Sequence, residues 1–245
     1  MPQPTRDLAG FLQIFDLRVG DEEGYLTDGA NDREQFVDDS IEQYSSDRPA
    51  RYRVLVDGKG TDRVDLPLLD QAGGWNREFS CMIAVEYPIV TDGHPIYLDP
   101  NDFMVREILD SDQVIAPGYT FELGTENVGL IFTSPHVVKD YGGSTVTSVP
   151  RSDWTAFCKW GASRGCLAIA AKYASLEDSQ LVEARFTASS QSKKYLDVSK
   201  RLEEDYRRHI RPADEDASPA FETVELDGTS IVDGADYLFH RGDLR

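Results

Sequence analysis

Apolar residues recur at intervals of three and four positions in two segments near the N-terminus, which is typical of amphipathic helices. The first segment, residues 5–19, has its apolar stripe at Leu8, Phe11, Leu12 and Phe15. The second begins near Asn31, and Glu34 three residues later completes a capping-box pattern. Its apolar stripe consists of Val37, Ile41 and Tyr44. Pro49 disfavours helical backbone at Arg48, so the second helix is predicted to end there.

From Arg51 onwards the pattern changes to an alternation of apolar and polar residues, which is typical of β-strands. Residues 51–67 alternate on both sides of Gly58-Lys59-Gly60, and this predicts a two-stranded hairpin. Further apolar segments bounded by Gly, Pro, Asn or Asp predict more strands: FSCMIAVEYPI, PIYLDPNDFMVREI, YTFELG and VGLIFTSPHVV. No helical pattern separates these segments, so the sheet is predicted to be antiparallel or nearly so.

Helical spacing returns after Pro150. Residues 151–175 predict a helix with Ser152 as its N-cap. Gly161, Gly165 and Ala168 lie along one side of it. A glycine costs a helix interior about 1 kcal/mol, so this stripe predicts the close approach of another helix. A second long helix is predicted over residues 192–210, with an inner edge formed by Leu196, Ser199, Leu202, Tyr206 and Ile210.

These patterns together predict an α+β fold with a helical bundle built from both ends of the chain. The bundle would comprise residues 1–50 and 150–211, and an antiparallel β module at 51–149 would be inserted between its second and third helices. Residues 212–245 are rich in Pro and Asp, with isolated apolar positions. They predict an acidic, extended C-terminal arm, because such a segment cannot bury a core of its own.

The chain carries a net charge of −19, and acidic residues dominate both of its ends. The first 48 residues contain twelve Asp or Glu against four Arg, and residues 211–245 contain nine acids against three Arg. This acidity argues against binding nucleic acid through its phosphates and against binding an anionic membrane. No apolar run is long enough to span a bilayer. We also expect no signal peptide, because the opening MPQPTRDLAG lacks a basic region followed by an apolar run.

The sequence predicts no catalytic residue, no metal site and no cofactor. The histidines have no metal-binding spacing and are expected on the surface or in loops; they are His94, His136, His209 and His240. The cysteines are expected to be buried free thiols; they are Cys81, Cys158 and Cys166. Ser163 lies in GASRG, which resembles a nucleophile elbow but falls inside a predicted helix rather than at a strand-to-helix turn. The acidic segment 99–112 lacks the ligand order of an EF-hand and is expected to be a solvated loop.

Two groups of residues are candidates for a protein interface. The last predicted helix is one of the few basic segments, and its candidates are Lys200, Arg201, Arg207 and Arg208. The alternative for these bases is a solvated face with partners within the helix, such as Asp205 for Arg201 or Glu204 for Lys200. The arm contributes apolar candidates: Phe221, Val224, Leu226, Ile231, Tyr237, Leu238 and Phe239. Such residues are unusual in a free tail, so they would dock on a partner or fold back over the β module.

The order of these segments resembles that of the head–tail connector proteins of tailed bacteriophages, also called neck adaptor or head completion proteins. The matching segments are QYSSDRP at 43–49, AVEYPI at 84–89, LIFTSPHVV at 130–138, RSDWTAFCKWGASRGCLAIAAKYA at 151–174 and SQSKKYLDVSKRLEEDYRRHI at 190–210. The resemblance covers about residues 8–210 and does not include the acidic arm. None of the matching segments is a catalytic signature; the resemblance lies in their order.

The resemblance implies a structural virion protein, made in the host cytoplasm and located in the neck. It implies a ring of about twelve copies of the chain beneath the portal protein. Such a ring extends the DNA channel and forms the platform for the tail or the next neck protein, while DNA passes through without specific binding. The alternatives are a neck stopper or tail completion protein, and a small hydrolase or binding module on a β scaffold.

Overall fold

The computed structural model describes residues 5–21, 24–26, 30–67, 74–90, 94–108, 111–177 and 182–210, all within one compact unit, Met1–Ile210. The protein is α+β, with four helices and two small antiparallel sheets in this part of the chain. The helices are α1 (Leu8–Val19), α2 (Ala30–Asp47), α3 (Trp154–Glu177) and α4 (Val182–Ile210). The strands are β1 (Ala50–Gly58), β2 (Arg63–Asp65), β3 (Met82–Glu86), β4 (Met104–Ile108), β5 (Ser111–Ile115) and β6 (Gly124–Ser134).

The ends of α1 and α2 follow from local backbone chemistry. Asp7 caps α1, because its side chain accepts a 2.7 Å hydrogen bond from the Gly10 backbone N–H. The helix ends at Gly20, whose φ of 60° is the left-handed conformation that glycine adopts readily. The sequence placed the start of α2 near Asn31, but the helix begins at Ala30, so Asn31 lies within its first turn. Its predicted end is confirmed at Asp47.

The glycines of α3 let two other helices approach it closely. A Cβ atom at Gly161 would lie 2.6 Å from Cζ of Phe11, and one at Gly165 would lie 2.5 Å from Cζ of Phe15. Both phenylalanines belong to α1, and α2 and α4 also pack against α3. The predicted close packing at this glycine stripe is therefore confirmed.

Two predictions about α3 and α4 need correction at their N-terminal ends. The sequence placed the N-cap of α3 at Ser152, but the helix begins at Trp154, so Asp153 occupies the cap position. α4 begins at Val182 rather than near residue 192. The small residues at the start of α4, including the buried Ala188, give a weak apolar pattern that the sequence analysis missed.

One residue of the predicted inner edge of α4 is wrong. Leu196 was expected inside but is 38% exposed, whereas Tyr195 is buried. The Tyr195 ring stacks on the Tyr173 ring of α3, with 5.8 Å between centroids, and its hydroxyl donates a 3.0 Å hydrogen bond to the Gly20 carbonyl. The remaining predicted inner residues are buried: Ser199, Leu202, Tyr206 and Ile210.

The predicted hairpin at residues 51–67 is wrong. β1 pairs antiparallel with β6, and β3 lies on the other side of β6, giving the order β1–β6–β3. β2 belongs to the second sheet, of order β2–β5–β4, in which both pairs are antiparallel. The long strand β6 buries Val128, Leu130 and Phe132 completely, so it offers β1 a larger apolar partner than the three-residue β2 does.

Two further β predictions differ from the structure. YTFELG at 119–124 was expected to be a strand but contributes an isolated bridge between Phe121 and Thr61. The segment 99–112, expected to be a solvated acidic loop, contains the whole of β4 and the first two residues of β5. Val114 explains the difference, because it is fully buried in the second cluster described below.

The apolar core of the described residues is divided into two clusters. The larger one, the helical cluster, joins all four helices around Phe11, Phe15, Phe157 and Ile169. Val138 and Val149, from the loop between β6 and α3, also belong to it. The second cluster lies in the β region and is formed by Val64, Leu66, Val85, Leu98, Val114, Ala116, Phe121, Val128, Leu130 and Phe132.

Candidate functional site: the basic face of α4

Six basic residues lie on the outward side of α4 and are all exposed: Lys193, Lys194, Lys200, Arg201, Arg207 and Arg208. They form three adjacent pairs that repeat every seven residues. Seven residues make almost two helical turns, so successive pairs lie about 10 Å apart on nearly the same side of the helix. Tyr195, Leu202 and Tyr206 on the opposite side are buried. We call these six residues the basic face.

The last of the three pairs is neutralised by acids of the same helix. Arg207 pairs with Glu203, and Nη1 of Arg208 lies 3.8 Å from Oδ1 of Asp205. Asp205 also accepts a 2.8 Å hydrogen bond from Lys159 of α3. This hydrogen bond lowers the pKa of Asp205, and the nearby arginines act in the same direction. The charges at this end of the basic face are therefore largely balanced within the chain.

The first two pairs of the basic face have no such partners. The sequence had offered Glu204 and Asp205 as partners for Lys200 and Arg201, but neither ion pair forms, and Asp205 is instead engaged by Lys159. Within the described part of the chain, no acidic side chain lies within ion-pair distance of Lys193, Lys194, Lys200 or Arg201. Four positive charges of an acidic protein thus remain available to an external partner.

The surface at the basic face is a shallow depression rather than an enclosed cavity. Its lining residues all belong to α4: Ser190, Lys193, Lys194, Asp197, Val198 and Arg201. A depression lined by a single helix cannot surround a small molecule. It can contact a second protein surface, and its charge favours an acidic one.

A buried carboxylate, that of Asp153, connects three helices near the end of α4. Oδ2 of Asp153 accepts hydrogen bonds from the Tyr44 hydroxyl at 2.6 Å and from Nη1 of Arg48 at 2.8 Å. Oδ1 lies 3.2 Å from Nε2 of His209. Nη2 of Arg48 also donates to the Ile210 carbonyl at 3.0 Å. The end of α2, the start of α3 and the end of α4 are therefore held together by one set of charged hydrogen bonds.

The hydrogen bonds around Asp153 outweigh the effect of its burial. Burial raises the pKa of this carboxyl, but hydrogen bonds from Tyr44, Ser152 and His209, together with the Arg48 charge, lower it to about 2. An acid beside a histidine is also found in hydrolases, where the histidine activates a nucleophile. No hydroxyl or thiol among the described residues lies within hydrogen-bond distance of the His209 ring. The geometry is that of a structural contact between helices.

His136 lies in the loop after β6, as the sequence predicted, but it is buried rather than exposed on the surface. Its Nε2 lies 2.8 Å from the Arg48 carbonyl, and its Nδ1 lies 2.9 Å from the Ser148 hydroxyl. A carbonyl only accepts, so Nε2 carries the proton and Nδ1 accepts from Ser148. Burial lowers the pKa of His136. The alternation of buried residues at Phe132, Ser134, His136 and Val138 is the signal that could have predicted this position.

The other sequence candidates lie in separate places. Cys158 and Cys166 are buried free thiols in α3, as predicted, but Cys81 is exposed. Ser163 is buried inside α3 and donates to the Trp160 carbonyl at 2.7 Å, so it does not form a nucleophile elbow. Across the described ranges, no group of three or more His, Cys, Asp or Glu side chains is placed to bind a metal ion. Among the described helices, none has both the length and the apolar character needed to cross a bilayer.

The arm residues proposed for an interface all lie outside the described residues: Phe221, Val224, Leu226, Ile231, Tyr237, Leu238 and Phe239. The α4 candidates, Lys200, Arg201, Arg207 and Arg208, lie on one exposed side of that helix. No protein-family model matches the chain, and no curated protein matches it.

Proposed function

We propose that this chain is a structural connector in the neck of a tailed-bacteriophage virion. About twelve copies would form a ring beneath the portal protein. The ring would extend the DNA channel and provide the platform for the tail or the next neck protein. The observation that carries the proposal is the order of the elements: two short helices, two small antiparallel sheets, and two long helices that share one apolar cluster with the first two.

In this proposal the four helices form a bundle built from residues 1–50 and 150–211, and residues 51–149 form an inserted β module. The hydrogen bond between Tyr44 and Asp153 supports this division, because it joins the two ends of the inserted segment. Residues 212–245 would form an arm that docks through its apolar residues on the portal or on an adjacent subunit.

The charge distribution supports the same role. A net charge of −19 per chain makes a ring of copies strongly negative, and a channel with negative walls repels DNA rather than holding it. Like charge also opposes the assembly of the copies, so contacts between proteins need locally positive surfaces. The basic face of α4 is such a surface.

The proposal is tested by locating the chain in particles and in a complex with the portal. We expect mass spectrometry to detect it in purified virions, and antibody-gold labelling to place it at the head–tail junction. Negative-stain images of the chain mixed with isolated portal should show an added ring on the portal. Binding only to a portal that already carries another neck protein would favour the stopper alternative. Absence from virions, together with turnover of ester or peptide substrates, would favour the hydrolase alternative.

A further inference from the structure

The outward side of α2 carries acids where α4 carries bases. Asp38 and Glu42 are exposed and lie one helical turn apart, and the half-buried Asp39 lies beside them. Val37 and Tyr44 on the other side of α2 are buried in the helical cluster. We call Asp38, Asp39 and Glu42 the acidic face.

In the part of the chain that the structure describes, no ion pair neutralises the acidic face, although Asp38 accepts a hydrogen bond from the Tyr141 hydroxyl and Arg164 lies beside Asp39 and Glu42. Among the described residues, no lysine, arginine or histidine lies within ion-pair distance of Asp38, Asp39 or Glu42. Burial raises the pKa of Asp39. The charge of Arg164 partly opposes this increase, and the smaller effects of Glu42 and Asp38 add to it. The charges of these acids are therefore only partly balanced by Arg164, and an external positive charge would stabilise them further.

One copy thus presents two helix faces of opposite charge, both on helices that pack against α3. Four bases of one face and the three acids of the other have no ion-pair partner among the described residues. We infer that the basic face of one copy docks on the acidic face of a second copy, head to tail. A two-fold symmetric contact between two basic faces would bring like charges together. A head-to-tail contact instead pairs the basic face of one copy with the acidic face of the next. That such head-to-tail contacts close into a ring rests on the proposed function.

The unpaired bases identify the part of α4 that makes the contact. The six bases span about 22 Å along the helix axis, while the acidic face spans about 6 Å, one turn of α2. The acidic face is therefore long enough to contact one or two of the three pairs of basic residues. Arg207 and Arg208 already have acidic partners. Of the two remaining pairs, we infer that Lys200 and Arg201 meet the acidic face, because they lie at the centre of the row.

The test reverses each face separately and then mixes the two variants. K200E/R201E has acidic residues on both faces, and D38K/E42K has basic residues on both faces. Each variant alone should self-associate roughly tenfold more weakly than the unaltered chain, because its own faces repel. An equal mixture should regain association, because the two acidic faces of K200E/R201E can then contact the two basic faces of D38K/E42K. Sedimentation velocity at low salt measures this for the full-length chain, and added salt should weaken the association of the unaltered protein.

Two matched variants control for net charge. R51E/R106E changes the charge as K200E/R201E does, and it alters exposed bases of β1 and β4 that have no described ion-pair partner. E78K/E122K controls the acidic reversal in the same way. Both controls should associate like the unaltered chain, and circular dichroism should show that all four variants are folded.

Several results would overturn the inference. They are an unaltered chain that stays monomeric at low salt and high concentration, reversed variants that associate normally, a mixture that fails to recover, or a complex that stops at two copies. The proposed function fails separately. If the chain is found in the virion neck but K200E/R201E assembles normally, only the inference is wrong. If the mixture recovers but the chain is absent from virions, only the proposed function is wrong.

Discussion

The Tyr44 hydroxyl donates a 2.6 Å hydrogen bond to the Asp153 carboxylate, although the two residues are 109 positions apart in the chain. All six strands lie between them, so this bond connects the place where the chain leaves α2 with the place where it enters α3. The same carboxylate contacts Arg48 and His209. One carboxylate therefore fixes how the helices meet at the base of the β region.

Replacing Asp153 with Asn should lower the free energy of unfolding by about 2–3 kcal/mol, because hydrogen bonds to a charged group contribute about that much. The amide carries no negative charge, and its NH2 group would replace the Oδ1 that accepts from Ser152 and faces His209. Tyr44→Phe should cost less, about 1 kcal/mol, because the ring keeps its contacts with Phe157 and His136. Urea unfolding followed by circular dichroism measures both changes.

Asp140→Asn is the matched control for the Asp153 substitution. Asp140 is exposed, and its φ of 63° is one that Asn tolerates well. Its replacement should change the free energy of unfolding by less than about 0.5 kcal/mol. An equal loss of stability in the Asp140 and Asp153 variants would show that the Asp153 contacts contribute nothing specific.

Stability should fall in two stages as the protein is acidified. Burial lowers the pKa of His136, so the unfolded chain binds a proton more readily and stability declines as pH falls below about 6.5. The pKa of Asp153 is lowered to about 2, so its contribution is present above its unfolded pKa of 3.8. This contribution, about 2 kcal/mol, is lost as pH falls from about 5 towards 2.

Two variants separate the stages in urea unfolding measured across this pH range. His136→Gln should flatten the dependence between about pH 7 and 5, and Asp153→Asn should flatten it below about pH 5. His94→Gln is the control, because His94 is exposed. A profile of His136→Gln that still declines like that of the unaltered protein would contradict the assignment of the first stage.

Adding a methyl group at the glycines of α3 should destabilise the protein. At Gly161 the new Cβ would lie 2.8 Å from the Phe36 carbonyl and at Gly165 it would lie 2.5 Å from the Phe15 ring. Overpacking of this kind costs about 1–3 kcal/mol, which exceeds the gain of about 1 kcal/mol in helix propensity. Thermal unfolding of Gly161→Ala and Gly165→Ala measures the net loss. An increase in melting temperature would show that α1 and α2 can move away at little cost.

The helices could be predicted from sequence because their signals are local. Pro49 ends α2 by its own geometry, and the glycines of α3 indicate close packing wherever the partner helix comes from. The pairing of the strands could not be predicted in this way. β1 and β2 are neighbours in sequence, with turn residues between them, yet the decisive factor is the long apolar strand β6 far along the chain. Local turn chemistry cannot show that such a partner is available.

The candidate site was likewise predictable only where its features depend on local sequence. The bases of α4 are visible in the sequence, and their common outward side follows from helical spacing. Which of them remain unpaired depends on Lys159 of α3, which engages Asp205, and helix spacing alone cannot show this contact. The contacts of His136 and Asp153 were also missed, because their partners come from distant segments.

The three cysteines should react with thiol reagents at two very different rates. Cys81 is exposed, whereas Cys158 and Cys166 are buried in α3. Burial raises the pKa of both α3 thiols, that of Cys166 to about 12, so neither forms the reactive thiolate readily at neutral pH. A colorimetric thiol assay on the native protein should therefore show one fast equivalent per chain, and denaturant should release two more. Cys81→Ser should remove the fast phase and leave the slow one. Rapid reaction of all three thiols would mean that α3 opens to solvent, and its packing against α1 and α4 would then be weaker than the structure indicates.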